Sequence, residues 1–273
     1  MTFWNGVKVY CHEEEEQDGP SGWSDKNPAS RGGESMQRKI LRTIALGNFA
    51  LFVALSGAGQ ARVQDAKAPY PNMAPLDQYL MERNAEIALA RSAAPESISG
   101  DAEVMVLGRH GYETAVKGKN GFVCFVWRSW AAGIDDPNFW NPKLRGPVCL
   151  NPPAARFNVP LTVKRTELIL AGRSKSQMFA DIGSAFDKKE FPALEPGAMC
   201  YMLSKQGYLD DSAGHWRPHL MFFVPLTEAA SWGAGLPGSP VVDAFTNTAE
   251  RHTVFLVPVA KWSDGTAASA DGH

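Results

Sequence analysis

The chain carries no surplus of charge: 27 Lys and Arg stand against 29 Asp and Glu, a formal net charge of −2 at pH 7. Proteins that bind nucleic acid draw affinity from clustered Lys and Arg that displace counterions from phosphates. Nucleic acid is therefore not an expected partner. Apolar runs are short as well. A membrane-spanning helix needs about 20 consecutive apolar residues, and Ile44 to Leu55, interrupted by Gly47 and Asn48, falls short of that. A serine-hydrolase elbow, Gly-x-Ser-x-Gly, does not occur. Cysteine is scarce: of four, Cys11 lies in an acidic N-terminal stretch, leaving Cys124, Cys149 and Cys200 for the folded part.

The N-terminal region reads as targeting rather than fold. Met36 opens a segment in which basic Arg38, Lys39 and Arg42 precede the apolar Ile44 to Leu55. Gly59-Gln60-Ala61 then places small residues at the −3 and −1 positions. That order is a signal peptide over residues 36–61, with an uncleaved anchor as the alternative. Residues 1–35, with Glu13 to Glu16 and a Gly/Ser/Pro-rich end, read either as sequence upstream of a true start at Met36 or as a disordered extension. Residues 62–273 then form a single domain, its tail fraying from about Ser263. The expected location is the periplasm or the extracellular medium, with no stable transmembrane anchor after cleavage.

In such an oxidising compartment a disulfide can persist. Cys124 in "GFVCFVW" and Cys149 in "GPVCLNPP" are the candidate pair, and Cys200 in "AMCYML" reads as a buried thiol. The expected fold is α+β, a mostly antiparallel sheet of about five strands with an N-terminal helix and a central helical pair. The N-terminal helix is expected over Pro75 to Ala93, the pair over Leu161 to Ala171 and Ser176 to Lys189 with Ser174 as a cap. Strands are expected over Ala102 to Leu107, Tyr112 to Lys117, Phe122 to Arg128, Ala198 to Ser204, Leu220 to Val224 and Thr253 to Val259. Asn120-Gly121 predicts a hairpin between the second and third. Residues 129–158, rich in Asp, Asn, Pro and Gly, read as a long loop.

Three stretches offer chemistry. "YLDDSAGHWRPHL" places Asp210, Asp211, His215 and His219 within ten residues, donor types for zinc or another divalent metal. The histidines imitate the i, i+4 pair of a helical zinc motif, but Pro218 lies between them. In an extended chain they stand about 13 Å apart, so one ion would need a turn there. Without metal the same stretch reads as a ligand rim: Tyr208 and Trp216 as faces, Arg217 as an anion fork, His215 and His219 as donors or acceptors. "GRHG" adds Arg109 and His110 on a tight connection, a strand rather than a helix following, so it does not open a phosphate loop. Trp127, Trp130, Phe139 and Trp140 with Asp135 and Asp136 resemble a carbohydrate site, yet adjacent carboxylates cannot flank a glycosidic bond about 5 to 9.5 Å apart. A loop packing its own aromatics is the simpler reading.

"VLGRHGYETAVKGKNGFVC", "NPKLRGPVCLNPP" and "GHWRPHLMFFVP" together resemble an exported bacterial protein family of uncharacterised role. The resemblance implies export and a single domain, and brings no catalytic residue or cofactor with it. Two functions stay open. The first is a non-catalytic domain that binds a small molecule or an envelope component, with no cofactor. The second is an envelope hydrolase, in its metal-dependent form built on His215, His219 and Asp210 or Asp211.

Overall fold

The computed structural model describes residues 69–211 and 214–268; the expectations for 1–35 and 36–61 lie outside them. Eight strands form one mixed sheet: β1 (Glu103–Gly108), β2 (Gly111–Val116), β3 (Val123–Trp127), β4 (Gly146–Leu150), β5 (Met199–Met202), β6 (His219–Pro225), β7 (Asp243–Asn247) and β8 (His252–Pro258). Their order is β2-β1-β3-β4-β5-β6-β8-β7. Among the described strands only β1 and β3 run parallel; every other neighbouring pair there is antiparallel. The helices are α1 (Arg83–Arg91), α2 (Glu96–Ser99), α3 (Pro152–Leu170) and α4 (Lys175–Asp187). The α+β class holds, with a sheet larger than expected.

Both faces of the central strands are covered, which is why they read as continuous apolar runs. Leu89, Ala90, Ala93 and Ala94 pack on Val104, Cys124, Val126 and Cys149 on one face. On the other, Ala154 and Ala155 of α3 meet Met105, Phe125, Val148 and Leu150. Cys124 and Cys149 are direct cross-strand partners with Cα atoms 4.0 Å apart, and they form the expected disulfide. Cys200 is fully buried on the opposite face, and desolvation holds its thiol far above the ordinary value.

The expected hairpin at Asn120-Gly121 is a correction. β1 and β2 form the hairpin instead, turning at Arg109-His110, and β3 lies on the far side of β1. The 117–121 segment crosses the start of β1: Lys119 N–H donates to Asp101, and Asn120 donates to Ile98 while accepting from Phe122 N–H. Gly118 is needed there, because a Cβ would lie 2.2 Å from the Glu103 nitrogen. The Asn-Gly signal is local, whereas strand order is set by what each strand buries.

Other boundaries move for identifiable reasons. The helix expected from Pro75 begins at Arg83, after a 3-10 turn at Leu76–Gln78. Glu82 caps it, accepting from Asn84 and Ala85 N–H. Residues 129–158 are not all loop: they contain β4 and the first turns of α3. Asn151 caps α3 through Ala154 N–H, and Pro152 occupies a first-turn position where no N–H is required. Ser174 caps α4 as expected, in a reciprocal arrangement with Gln177. Ser263 to Ala268, expected to fray, are tied down: Ser263 N–H donates to Leu203, Lys261 bridges Ala267, and Asp264 pairs with Lys205.

Candidate functional site

The ends of β1, β3 and β4 deliver three arginines to one edge of the sheet, and all three hold the same segment. Arg109, after β1, pairs with Asp77 at 2.6 Å. Arg128, after β3, donates through Nε to the Tyr79 carbonyl at 2.7 Å. Arg145, before β4, donates to the Gln78 carbonyl at 3.2 Å. Residues 77–79 are thus strapped across that edge. Arg128 is completely buried and pairs with the equally buried Glu86 at 2.9 Å. Burial, with Arg128 nearby, lowers the Arg145 guanidinium to about 10.

The strap continues into the loops that lead into β4 and β6. Arg145 and Tyr208 exchange two backbone hydrogen bonds of 2.9 Å. This single bridge brings the 133–145 loop against the 205–217 loop, which sequence spacing kept apart. Around it gather Tyr70, Lys143, Tyr208 and Asp211. Asp211 accepts from both tyrosine hydroxyls and pairs with Lys143 Nζ at 2.9 Å. Those donors, Tyr208 first, hold its carboxyl well below the usual carboxylate range. Asp136 on the facing loop lies within electrostatic reach of Asp210, and burial raises its carboxyl above the ordinary value.

The loop itself is pinned by Trp216. Its ring is 5% exposed and packs against Gly207, where a Cβ would fall 2.2 Å from Cζ2, and near Gly146. A tryptophan face for a ligand, one sequence expectation, is therefore spent on the core. His215 is exposed and donates from Nδ1 to the Gly207 carbonyl at 2.8 Å. That bond fixes the proton on Nδ1. His219 is 3% exposed at the start of β6, donates to the Arg217 carbonyl, and is lowered to about 4 by desolvation. The chain thus gives the two histidines opposite surroundings, one wet and one dry. No group of three His, Cys, Asp or Glu side chains suited to a metal ion occurs among the described residues. Arg217 is exposed.

Arg109 and His110 share this edge of the sheet but not this surface. β3, β4 and β5 lie between β1 and β6, about 19 Å at four strand spacings. The aromatic loop packs inward: Trp130 and Phe139 are each 1% exposed, and Trp130 donates to Thr166.

Sequence spacing passed over two features. The Lys143–Asp211 pair joins residues 68 positions apart, and no local pattern announces it. Gly233 to Gly238, "GAGLPG", fits the spacing of a dinucleotide fingerprint. It follows a 3-10 turn and leads into edge strand β7, not into a helix, so it lacks the helix N-terminus that holds a pyrophosphate. No helix among the described residues is long and apolar enough to cross a membrane. No protein-family model matches the chain, and neither the curated proteins nor the solved structures include one significantly similar to it.

Proposed function

We infer that this is an exported bacterial domain that binds a small molecule or an envelope component without transforming it, using the surface around the Arg145–Tyr208 bridge. The observation that carries the reading is the bridge itself, which assembles Lys143, Asp211, Tyr70, Tyr208 and His215 from three separated stretches. The groups there are suited to recognition. Asp211 is tied to three donors and is a weak base. His215 has its Nδ1 committed to the backbone. Cys200, the free thiol, is buried and held protonated. Two observations support export: the disulfide, which persists in oxidising compartments, and the basic-apolar-small order before Arg62.

The test compares the full chain with a Lys143→Ala/Asp211→Ala double variant, each immobilised and exposed to fractionated envelope extract. Compounds retained by the full chain, lost by the variant and recovered chemically unchanged support the reading. Recovery of a hydrolysed product, abolished by His215→Ala, would favour the hydrolase instead. Stoichiometric zinc in protein purified without added metal would place that chemistry on a metal. Equal retention by both forms would remove the site assignment. Intact mass of the protein from the envelope tests export: a chain beginning at Arg62 is expected.

A further inference from the structure

A cleft distinct from the Asp211 surface opens between the start of α1 and the β1–β2 hairpin. It holds about 220 Å³ and is lined by Leu80, Met81, Arg83, Glu86, Leu107 and Arg109, among others. At roughly 30 Å³ per water it has room for several waters. That is below the usual range for drug-sized ligands, which begins at about 300 Å³.

Glu86 is the unusual member. It is 1% exposed, yet it lines the cleft. Its Oε1 is doubly used, accepting from Leu107 N–H at 3.0 Å and facing Arg128 Nη2 at 2.9 Å. Its Oε2 has no hydrogen bond to another described side chain or backbone group and is not sealed off from the cleft. Water in the cleft can donate to this oxygen, and a ligand that displaces the water must supply a donor in its place, because an acceptor left unmet costs on the order of 1–3 kcal/mol. Arg128 already balances the charge of Glu86, so the matching group is a neutral donor such as a hydroxyl rather than a second cation.

The mouth has the opposite demand. Arg83 and Arg109 both line it and both are well exposed, paired with Glu113 and Asp77. Exposed pairs of this kind contribute about 0–1 kcal/mol, so a ligand carboxylate can replace Glu113 or Asp77 at little cost. Between base and mouth the walls are aliphatic. We propose that this cleft binds a small carboxylate with an apolar body and a hydroxyl at its far end. The hydroxyl donates to Glu86 Oε2, and the carboxylate sits at Arg83 and Arg109.

Three matched probes test this on the full chain: 4-hydroxyphenylacetate, phenylacetate, which lacks the hydroxyl, and p-cresol, which lacks the carboxylate. Binding is followed by calorimetry and by NMR of the Met81 methyl group, which reports from the cleft. The expected order places 4-hydroxyphenylacetate first, with each truncated probe weaker by about tenfold. Arg83→Ala/Arg109→Ala, changing two exposed side chains, is expected to reduce binding of 4-hydroxyphenylacetate to the level of p-cresol. Glu86→Gln disturbs the buried pair with Arg128, so the arginine variant, checked for folding by circular dichroism, carries the decision. An unmoved Met81 methyl group, equal binding of the three probes, or undiminished binding by the arginine variant would each overturn the proposal.

Discussion

Arg128 Nη2 lies 2.9 Å from Glu86 Oε1, and the two side chains are 0% and 1% exposed. The pair joins α1 to the end of β3, and Arg128 also donates to the Tyr79 and Val126 carbonyls. Removing one member strands a buried charge, which costs about 3–5 kcal/mol, more than the pair itself contributes. Arg128→Met is therefore expected to lower unfolding free energy by that amount in urea titrations. Replacing both, Glu86→Leu with Arg128→Met, is expected to cost clearly less than the sum. Additive losses would show that the two charges are not coupled.

The Cys124–Cys149 bridge spans a sequence separation of 25. A loop of that size is expected to contribute about 3 kcal/mol, chiefly by restricting the unfolded chain. Cys124→Ala/Cys149→Ala should lower the denaturation midpoint accordingly, and reductant should have no further effect on that variant. A reductant-insensitive wild type would show that the bridge does not form in solution.

His219 ties stability to pH. Its folded-state value, about 4, lies below the ordinary 6.5, so the unfolded chain binds the extra proton between those values. Stability is whole above about pH 6.5, falls as pH drops toward 4, and levels below that, a loss of roughly 3 kcal/mol. His252, also lowered by burial, acts in the same direction. Asp136 and Asp243, raised by burial, act the other way because the folded form holds their protons more tightly. Urea titrations between pH 7 and pH 4.5 should show a net decline that His219→Gln makes shallower. An unchanged slope in that variant would assign the decline to other groups.

Gly207 is required by Trp216. A Cβ there would meet Cζ2 at 2.2 Å and Cη2 at 2.5 Å. Gly207→Ala is expected to cost about 1–3 kcal/mol through overpacking and to shift tryptophan fluorescence as Trp216 is displaced. It should also speed amide exchange at Tyr208, whose N–H donates to Arg145. Protection unchanged at Tyr208 would separate the bridge from the tryptophan anchor.

Much of the strand inventory was legible because β1, β3, β5, β6 and β8 carry apolar runs that only a sheet interior accommodates. β4 was missed because Gly146-Pro147 and the prolines after it read as turn. In the fold the pair opens a strand buried along its whole length. β7, "DAFTN", was missed because an edge strand needs little apolar character. The aromatic loop and the "GHWRPH" loop were each visible, but their union was not.

The amino-acid sequence determined what depends on neighbours in the chain: the caps at Asn151 and Ser174, the apolar runs of the sheet, the buried character of Cys200. Those are short-range preferences, and a few residues are enough to express them. Tertiary structure alone decided which strand lies beside which, so that β3 joined β1 in parallel and Asn120-Gly121 became a crossing rather than a hairpin. It also decided that His215 is wet and His219 dry, and that Lys143 meets Asp211. Such outcomes depend on which surfaces exclude water from one another, a property of the assembled faces that no stretch of chain contains by itself.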